Sequence, residues 1–442
     1  MGIESKHPRY DEKIDQWSRC RDTFDGEDAV KEKRTEYLPK LSSQSDASYA
    51  AYMKRASFYN TVKRTIHGLA GAVMRIDPVV EGAPDEWMDD VTTTGMNLNE
   101  FIYYMLTEQL LCGRQGVLVE HNGSRPYLVG YPTEQITNWM DDTIVLMEQY
   151  RKMDVNDKYN SRYETQYREI LLEEGRYLVR IWRKTKGEWK IYEEVAPSKR
   201  GAALDSIPFV SLTVDGFNLN PKAPPLLNLA DVNLSHYRTS ADLEHGRHFT
   251  ALPTPYVTGV DVDSELSIGA ESAWVLPDSA SRAGYLEFSG SGLAALDTAM
   301  EQKRSMMASL GAQLLEGQKN GVEATETVKL RQNSEASVLM RTVKSVEEAL
   351  SKSLNMMSEW EGGPEITVSL NTDFADSVIG SQDMVALMGL WQSGAISHES
   401  LLWNMKRGEV IPPDVTIEEE RDRIDVQIGA MDDLESEAPT EV

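Results

Sequence analysis

Residues 290–360 read GSGLAALDTAMEQKRSMMASLGAQLLEGQKNGVEATETVKLRQNSEASVLMRTVKSVEEALSKSLNMMSEW, and the organisation of the chain turns on this stretch. In its first half, apolar residues fall at Leu293, Leu296, Met300, Met307, Leu310 and Leu314, with Lys303 interrupting the stripe. In its second half they fall at Leu339, Val343, Val346, Leu350, Leu354 and Met357. Steps of three and four put each series on one face of a helix. No proline occurs between Gly290 and Gly363 to stop either helix. Between them, Gly317 is placed to end the first helix in a left-handed conformation. Asn320, followed three residues later by Glu323, resembles a capping box for the second. An ordinary helical hairpin fits this pattern, and so does a loop held at the tip of two long helices.

Composition limits the function classes. At 442 residues the chain has room for two or three domains. Hydrophobic residues make up 40% and charged residues 26%, and no apolar run approaches the ~20 residues that span a bilayer. Met1 to Lys6 is polar, lacks a signal-peptide core and misses the myristoylation spacing, so synthesis in the cytoplasm is expected. Cys20 and Cys112 are too few and too far apart for a disulfide framework or a zinc site. Cys112 reads as a buried small hydrophobe. The net charge of −26 argues against a broad grip on nucleic acid, which needs clustered Lys and Arg.

Read in order, residues 9–34 are charged with sparse apolar positions and predict a solvated helix. Tyr52, Ala56, Tyr59, Val62, Ile66, Leu69 and Val73 predict one amphipathic helix, with Lys54, Arg55, Lys63, Arg64 and Arg75 on its other face. A helix begins near Asn97, with Asn97 or Asn99 as its N-cap, and runs to Gly113, followed by a strand at Val117–Glu120 and a turn at Asn122–Gly123. Gly113-x-x-Gly116 is no phosphate cradle, because the order helix, glycines, strand is the reverse of what such loops need. From 143 to 214 the period becomes two, and strands at 143–150, 167–173, 177–184, 188–195 and 209–214 predict an antiparallel sheet. A Pro-bounded helix covers 226–249, with short strands at 255–260 and 273–276 and a Gly- and Ser-rich turn before 290. Residues 365–370 form a strand, 381–407 form helices broken near Gly394, and the acidic tail from Met431 is disordered. The fold class is α+β.

No constellation carries chemistry. Glu244-His245-Gly246-Arg247-His248 has two histidines on one helical face but lacks a third ligand. Neither a phosphate-binding Gly-Lys-Ser/Thr loop nor a Gly-x-Ser-x-Gly elbow occurs. We expect no enzyme, no cofactor and no metal.

Several stretches resemble the portal (head–tail connector) proteins of tailed bacteriophages, and most closely a portal-like group catalogued as a domain of unknown function. They are Tyr37-Leu38-Pro39-Lys40, Arg64-Thr65-Ile66 to Gly71, Gly113 to Glu120 and Arg125-Pro126-Tyr127-Leu128. Asn138-Trp139, Ile207-Pro208-Phe209-Val210, Leu229 to Tyr237 and Leu310-Gly311-Ala312 complete the set, which covers residues 37 to about 360. None is a catalytic signature, and the specificity lies in their order. The resemblance implies a wing at 1–220, with its sheet at about 143–214, and a first stem helix at 221–250. It further implies a clip at 251–288, a second stem helix at 289–315, a tunnel loop at 316–323, a long wing helix and strand at 324–378 and a crown at 379–430, ahead of the tail at 431–442.

By the same resemblance, twelve copies form a ring at one capsid vertex of the virion, assembled in the host cytoplasm, without contact with a membrane. Double-stranded DNA passes through during packaging and ejection. Gln318, Lys319, Asn320 and Gly321 would face that DNA, and Val257, Thr258, Trp274 and Val275 would dock the terminase motor and the head-completion or tail adaptors. Capsid or scaffold protein is a further implied partner. An acidic wall would let the duplex slide, since it repels phosphates. Two alternatives stand beside this: another structural virion connector or capsid-associated protein, and a hydrolase without a recognisable motif.

Overall fold

The computed structural model describes residues 2–426 apart from 154–158, 215, 252–253, 260–279, 287–289, 291, 316–324, 373, 375–380, 409, 413–414 and 425. They divide into two compact units, 1–372 and 373–442.

The first unit opens with α1 (Pro8–Asp11), α2 (Ile14–Asp25), α3 (Glu27–Glu32), α4 (Asp46–Arg55) and α5 (Thr61–Val73). Two expectations fail here. Residues 9–34 are three helices with a buried side, because Trp17, Cys20 and Val30 are fully enclosed. The polar residues that made α2 look solvated make tertiary pairs: Arg21 grips Glu108 through two 2.7 Å bonds, and Asp22 accepts from Tyr37 at 2.6 Å. The single helix expected through Tyr52 to Val73 is broken at 56–60. Asn60 restarts it as N-cap, accepting from the Lys63 amide at 3.0 Å while donating to the Phe24 carbonyl at 2.9 Å.

After β1 (Val79–Glu81) and α6 (Asp85–Asp89) comes α7 (Leu98–Cys112). Asn97 and Glu100 form a reciprocal capping box, with bonds of 2.8 and 3.1 Å. Gly113 ends the helix at φ 71°. Ten side chains of α7 are buried, so it serves as a core helix and not as an amphipathic one.

Strands follow at β2 (Arg114–His121), β3 (Pro126–Pro132), β4 (Ile136–Trp139), β5 (Thr143–Met153), β6 (Ser161–Glu173), β7 (Arg176–Thr185), β8 (Glu188–Val195), β9 (Ser198–Lys199), β10 (Ala202–Ala203) and β11 (Phe209–Thr213). The one sheet expected over 143–214 is corrected: these strands belong to separate sheets. β4 to β8 form a five-stranded meander, whereas β11 leaves it and pairs with β2 in the order β11–β2–β3. Gly116 makes room for that pairing, since a Cβ there would lie 2.0 Å from the Phe209 ring. The meander's hairpins β6–β7 and β7–β8 turn on Glu174-Gly175 (φ 52° and 74°) and Lys186-Gly187 (φ 53° and 88°). Positive φ at both central positions is what tight two-residue hairpins require.

The two sheets are tied by charge. Arg168 on β6 reaches Glu120 on β2 at 2.5 Å and Glu148 on β5 at 2.7 Å. Tyr131 and Gln166 also donate to Glu148, at 2.6 and 2.8 Å. Burial acts to raise the Glu148 carboxyl, but Arg168 and these donors hold it below the usual range.

The rest of the unit comprises α8 (Leu227–Ala251), β12 (Thr254–Thr258), β13 (Arg282–Leu286), α9 (Leu293–Leu315), α10 (Thr325–Glu361) and β14 (Thr367–Ser369). β14 pairs antiparallel with β1, far away in sequence. The stretch read as a turn before 290 contains β13, and the strand expected at 273–276 lies outside the described residues.

The second unit holds α11 (Ser381–Gln392) and α12 (His398–Arg407), separated near Gly394 (φ 73°) as expected. Ser397 caps α12 by accepting from the Ser400 amide at 3.1 Å, and Leu402, Ile411 and Val415 form its small core. The tail at 431–442 lies outside the described residues.

Candidate functional site: the long helices and the strand pair

Helices α8, α9 and α10 and the β12–β13 pair make up the candidate site, and each part has a residue-level cause. α8 buries Leu229, Ala230, Leu234, Tyr237 and Ala241, and the last three share a core with Tyr49, Tyr52, Ala56 and Phe58. Two of its buried polar residues, Asn233 and Ser240, serve the break between α4 and α5. Asn233 donates to the Tyr59 carbonyl at 2.8 Å and accepts from the Thr61 amide at 3.3 Å, while Ser240 accepts from the Ser57 amide at 3.1 Å. Backbone groups that an unbroken helix would pair internally are thus satisfied from α8. Tyr52 donates to Asp242 at 2.5 Å.

α8 also packs against α9. Arg247 pairs with Asp297 at 2.8 Å, and the contact at Gly246 is so close that a Cβ would meet the Leu293 side chain at 2.5 Å. Lys303, which interrupts the apolar stripe, has its partners here. Its ammonium donates to the Ser235 carbonyl at 3.1 Å and to the Thr239 hydroxyl, joining α9 to α8. Burial lowers its pKa, with Arg238 adding to the effect. On α9 the residues Glu301, Gln302, Arg304, Ser305, Met306, Ala308 and Ser309 are exposed, a mixed and largely polar face.

All six stripe residues of α10, Leu339, Val343, Val346, Leu350, Leu354 and Met357, are buried. They pack α10 across α7 and the β11–β2–β3 sheet. Asn355 then holds the chain's return, donating to the Ile366 carbonyl at 2.7 Å and accepting from its amide at 2.8 Å.

Between α8 and α9, β12 and β13 pair antiparallel from Thr254↔Leu286 to Thr258↔Arg282. Tyr256 and Tyr285 are 46% and 58% exposed. A two-stranded ribbon with exposed aromatics is marginal in water unless something else covers it. Val257 and Thr258 lie on β12, Val257 half-buried and Thr258 exposed. Trp274 and Val275, and with them Gln318, Lys319, Asn320 and Gly321, lie outside the described residues.

Two clusters of ligand-type side chains are already engaged by cations and rings of the chain itself. His248 Nε2 lies 3.0 Å from the Arg55 guanidinium, so it accepts from a cation, and His245 packs edge-on against Tyr52 and Phe249. Burial and then Arg55 lower the His245 pKa. Glu108, Cys112 and Glu134 approach one another, but Arg21 fills the space between the carboxylates, with bonds of 2.7 to 3.1 Å. A cleft of about 660 Å³ is walled by His7, Trp139, Asp141, Phe209, Phe217 and Lys352. His7 is stacked on Trp139 at 4.0 Å, and the Lys352 ammonium sits over Phe217 at 4.9 Å.

No curated protein matches this sequence. Among solved structures, a chain from the neck of an empty gene transfer agent particle is 14% identical, with a TM-score of 0.41, over 79% of this chain and 91% of that one. A chain from the virion of the native gene transfer agent particle is 13% identical, with a TM-score of 0.41, over 84% and 96%. An HK97-family phage portal protein from Corynebacterium diphtheriae is 10% identical, with a TM-score of 0.27, over 74% and 95%. Residues 225–361, the stretch carrying α8, the strand pair, α9 and α10, match the family model of a domain of unknown function, DUF4055.

Proposed function

We propose that this chain is the subunit of a portal-type head–tail connector, a closed ring through which double-stranded DNA enters and leaves a capsid. The observation that carries the reading is the arrangement of α8 and α9 as joined long helices, with an exposed strand pair between them and α10 anchoring them to the wing-like α+β body. The exposed Tyr256 and Tyr285 leave the strand pair with apolar surface to cover. In a cyclic assembly with head-to-tail contacts, neighbouring copies supply cover for marginal strands. The role is structural and not enzymatic.

In this reading 251–288 is the clip and docks the terminase motor and later the adaptor proteins. Deleting 257–276 should leave the body folded but abolish ring stability or motor docking. Unchanged rings that still support packaging would overturn the assignment. Loop 316–323 is the tunnel loop, with Lys319 its one cation near a passing polyanion, within a Debye length of ~8 Å at physiological salt. Lys319→Glu should preserve assembly and lower retention of packaged DNA. Wild-type retention and packaged length would show that the charge has no role.

A further inference from the structure

Cations are concentrated at 54–75 in a chain that is otherwise acidic, and the structure separates their roles. Arg55 reaches His248 Nε2 at 3.0 Å. Lys63 and Arg64 stay on the exposed face of α5. The Lys63 ammonium lies 5.5 Å from the centre of the Phe24 ring, and the Arg64 guanidinium donates to the Tyr59 hydroxyl at 2.6 Å. Neither makes an ion pair among the described residues, although the chain carries 71 Asp and Glu against 45 Lys and Arg. Asp25, the last residue of α2, senses Lys63 without pairing with it. From Asn60 to Ile76 the sequence has no carboxylate.

The surface beyond these cations is smooth. Gly68 and Gly71 follow Arg64 in steps of four and three, so the three share one face of α5, and both glycines are exposed. A Cβ at either would meet nothing within 4 Å. Packing within the chain therefore gives no reason for glycine at these positions, where alanine would make the stronger helix. The opposite face buries Val62, Ile66, Leu69, Ala70 and Val73, so the strip is carried by a firmly packed helix. Tyr59, 48% exposed, stands beside Arg64 at its start.

We propose that this strip, formed by Tyr59, Lys63, Arg64, Gly68 and Gly71, is where the next copy of the chain docks, setting a carboxylate-bearing surface against the two cations. The inference rests on the ring reading and names the chemistry of one side of its subunit contact. Charge selects the occupant. Each copy carries −26, so two copies repel one another in most orientations. A contact that sets cations of one copy against carboxylates of the other reverses that repulsion locally and fixes the orientation. Basic strip against acidic surface is a heterologous pairing, the kind of contact that generates rings. Duplex DNA fits less well, because gripping it takes a broad field of Lys and Arg and the strip offers Lys63 and Arg64.

The test uses the full chain. Lys63→Glu combined with Arg64→Glu should keep the wild-type circular dichroism and raise the protein concentration for half-assembly by about tenfold or more. Wild-type assembly should weaken as salt rises from about 0.05 to 0.5 M, whereas that of the double variant should strengthen, because salt then screens only repulsion. Gly68→Leu, for whose Cβ the chain leaves room, should keep the fold and weaken assembly. In wild-type rings co-assembled from light and heavy-nitrogen copies, a zero-length carbodiimide should join Lys63 to Asp or Glu in peptides of mixed mass. Double-variant rings that form as readily as wild type, with no mixed-mass link at Lys63, would overturn this docking surface and leave the ring reading standing. Loss of duplex DNA binding in the double variant with assembly unchanged would overturn it in favour of nucleic acid. A wild-type chain that forms no ring under any condition would defeat the ring reading, and this inference with it.

Discussion

Replacing Arg168 with Met tests whether charge ties the two sheets together. Arg168 contacts Glu120 at 2.5 Å and Glu148 at 2.7 Å, and the three side chains retain 16% to 19% exposure. Removing the cation from a fully buried pair costs about 3–5 kcal/mol, because a carboxylate stays behind without a counter-charge. Water reaches this cluster a little, and Tyr131, Gln166 and Tyr127 continue to donate to the carboxylates. The expected loss is therefore at the lower end, about 2–4 kcal/mol at pH 7.

The pH dependence has a defined sign. Glu148 has a depressed folded pKa, so its contribution is present above the unfolded carboxylate value, about 4.3, and is lost as pH falls through the folded value. The gap between wild type and Arg168→Met should then shrink below about pH 4. Urea titrations at pH 7 and pH 3.5 measure it. Adding Glu148→Gln and Glu120→Gln to Arg168→Met should recover most of the loss, since no carboxylate is then stranded. A loss under about 1 kcal/mol, or one of equal size at both pH values, would refute the role given to Arg168.

The remaining predictions concern the long helices. Leu350→Ala, in the buried stripe of α10, should cost about 2–5 kcal/mol and expose the β11–β2–β3 sheet to hydrogen exchange. Asn233→Ala strands the Tyr59 carbonyl and the Thr61 amide, and should cost about 1–3 kcal/mol with faster exchange at 57–61.

Local signals were legible wherever a residue's partner lay nearby in sequence. Asn97 marked a possible start of α7, Gly113 its end, and the two Gly-containing hairpins the meander, while the reciprocal bond from Glu100 was not read. The α10 stripe was readable because its period is local, and every residue named in it is buried. What failed depended on distant partners. The break at 56–60 is held by Asn233 and Ser240, 172 and 183 residues from the amides they serve, so the periodicity of Tyr52 to Val73 could not reveal it. α2 looked solvated because its charged residues make tertiary pairs, and β11 looked like a fifth strand of the meander because alternation does not name a partner. Lys303 read as an interruption until α8 supplied its acceptors. Of the residues expected to act at the tip, Val257 and Thr258 fall on β12 as a strand reading requires.

The central claim is that copies of this chain close into a ring around a channel. Electron microscopy of the purified full-length protein, imaged over a range of concentration and salt, tests it most directly. Cyclic class averages with a central hole are expected, twelvefold in the proposed assembly, with the strand pair at one end of the channel. Particles that remain monomers or dimers under every condition would contradict it.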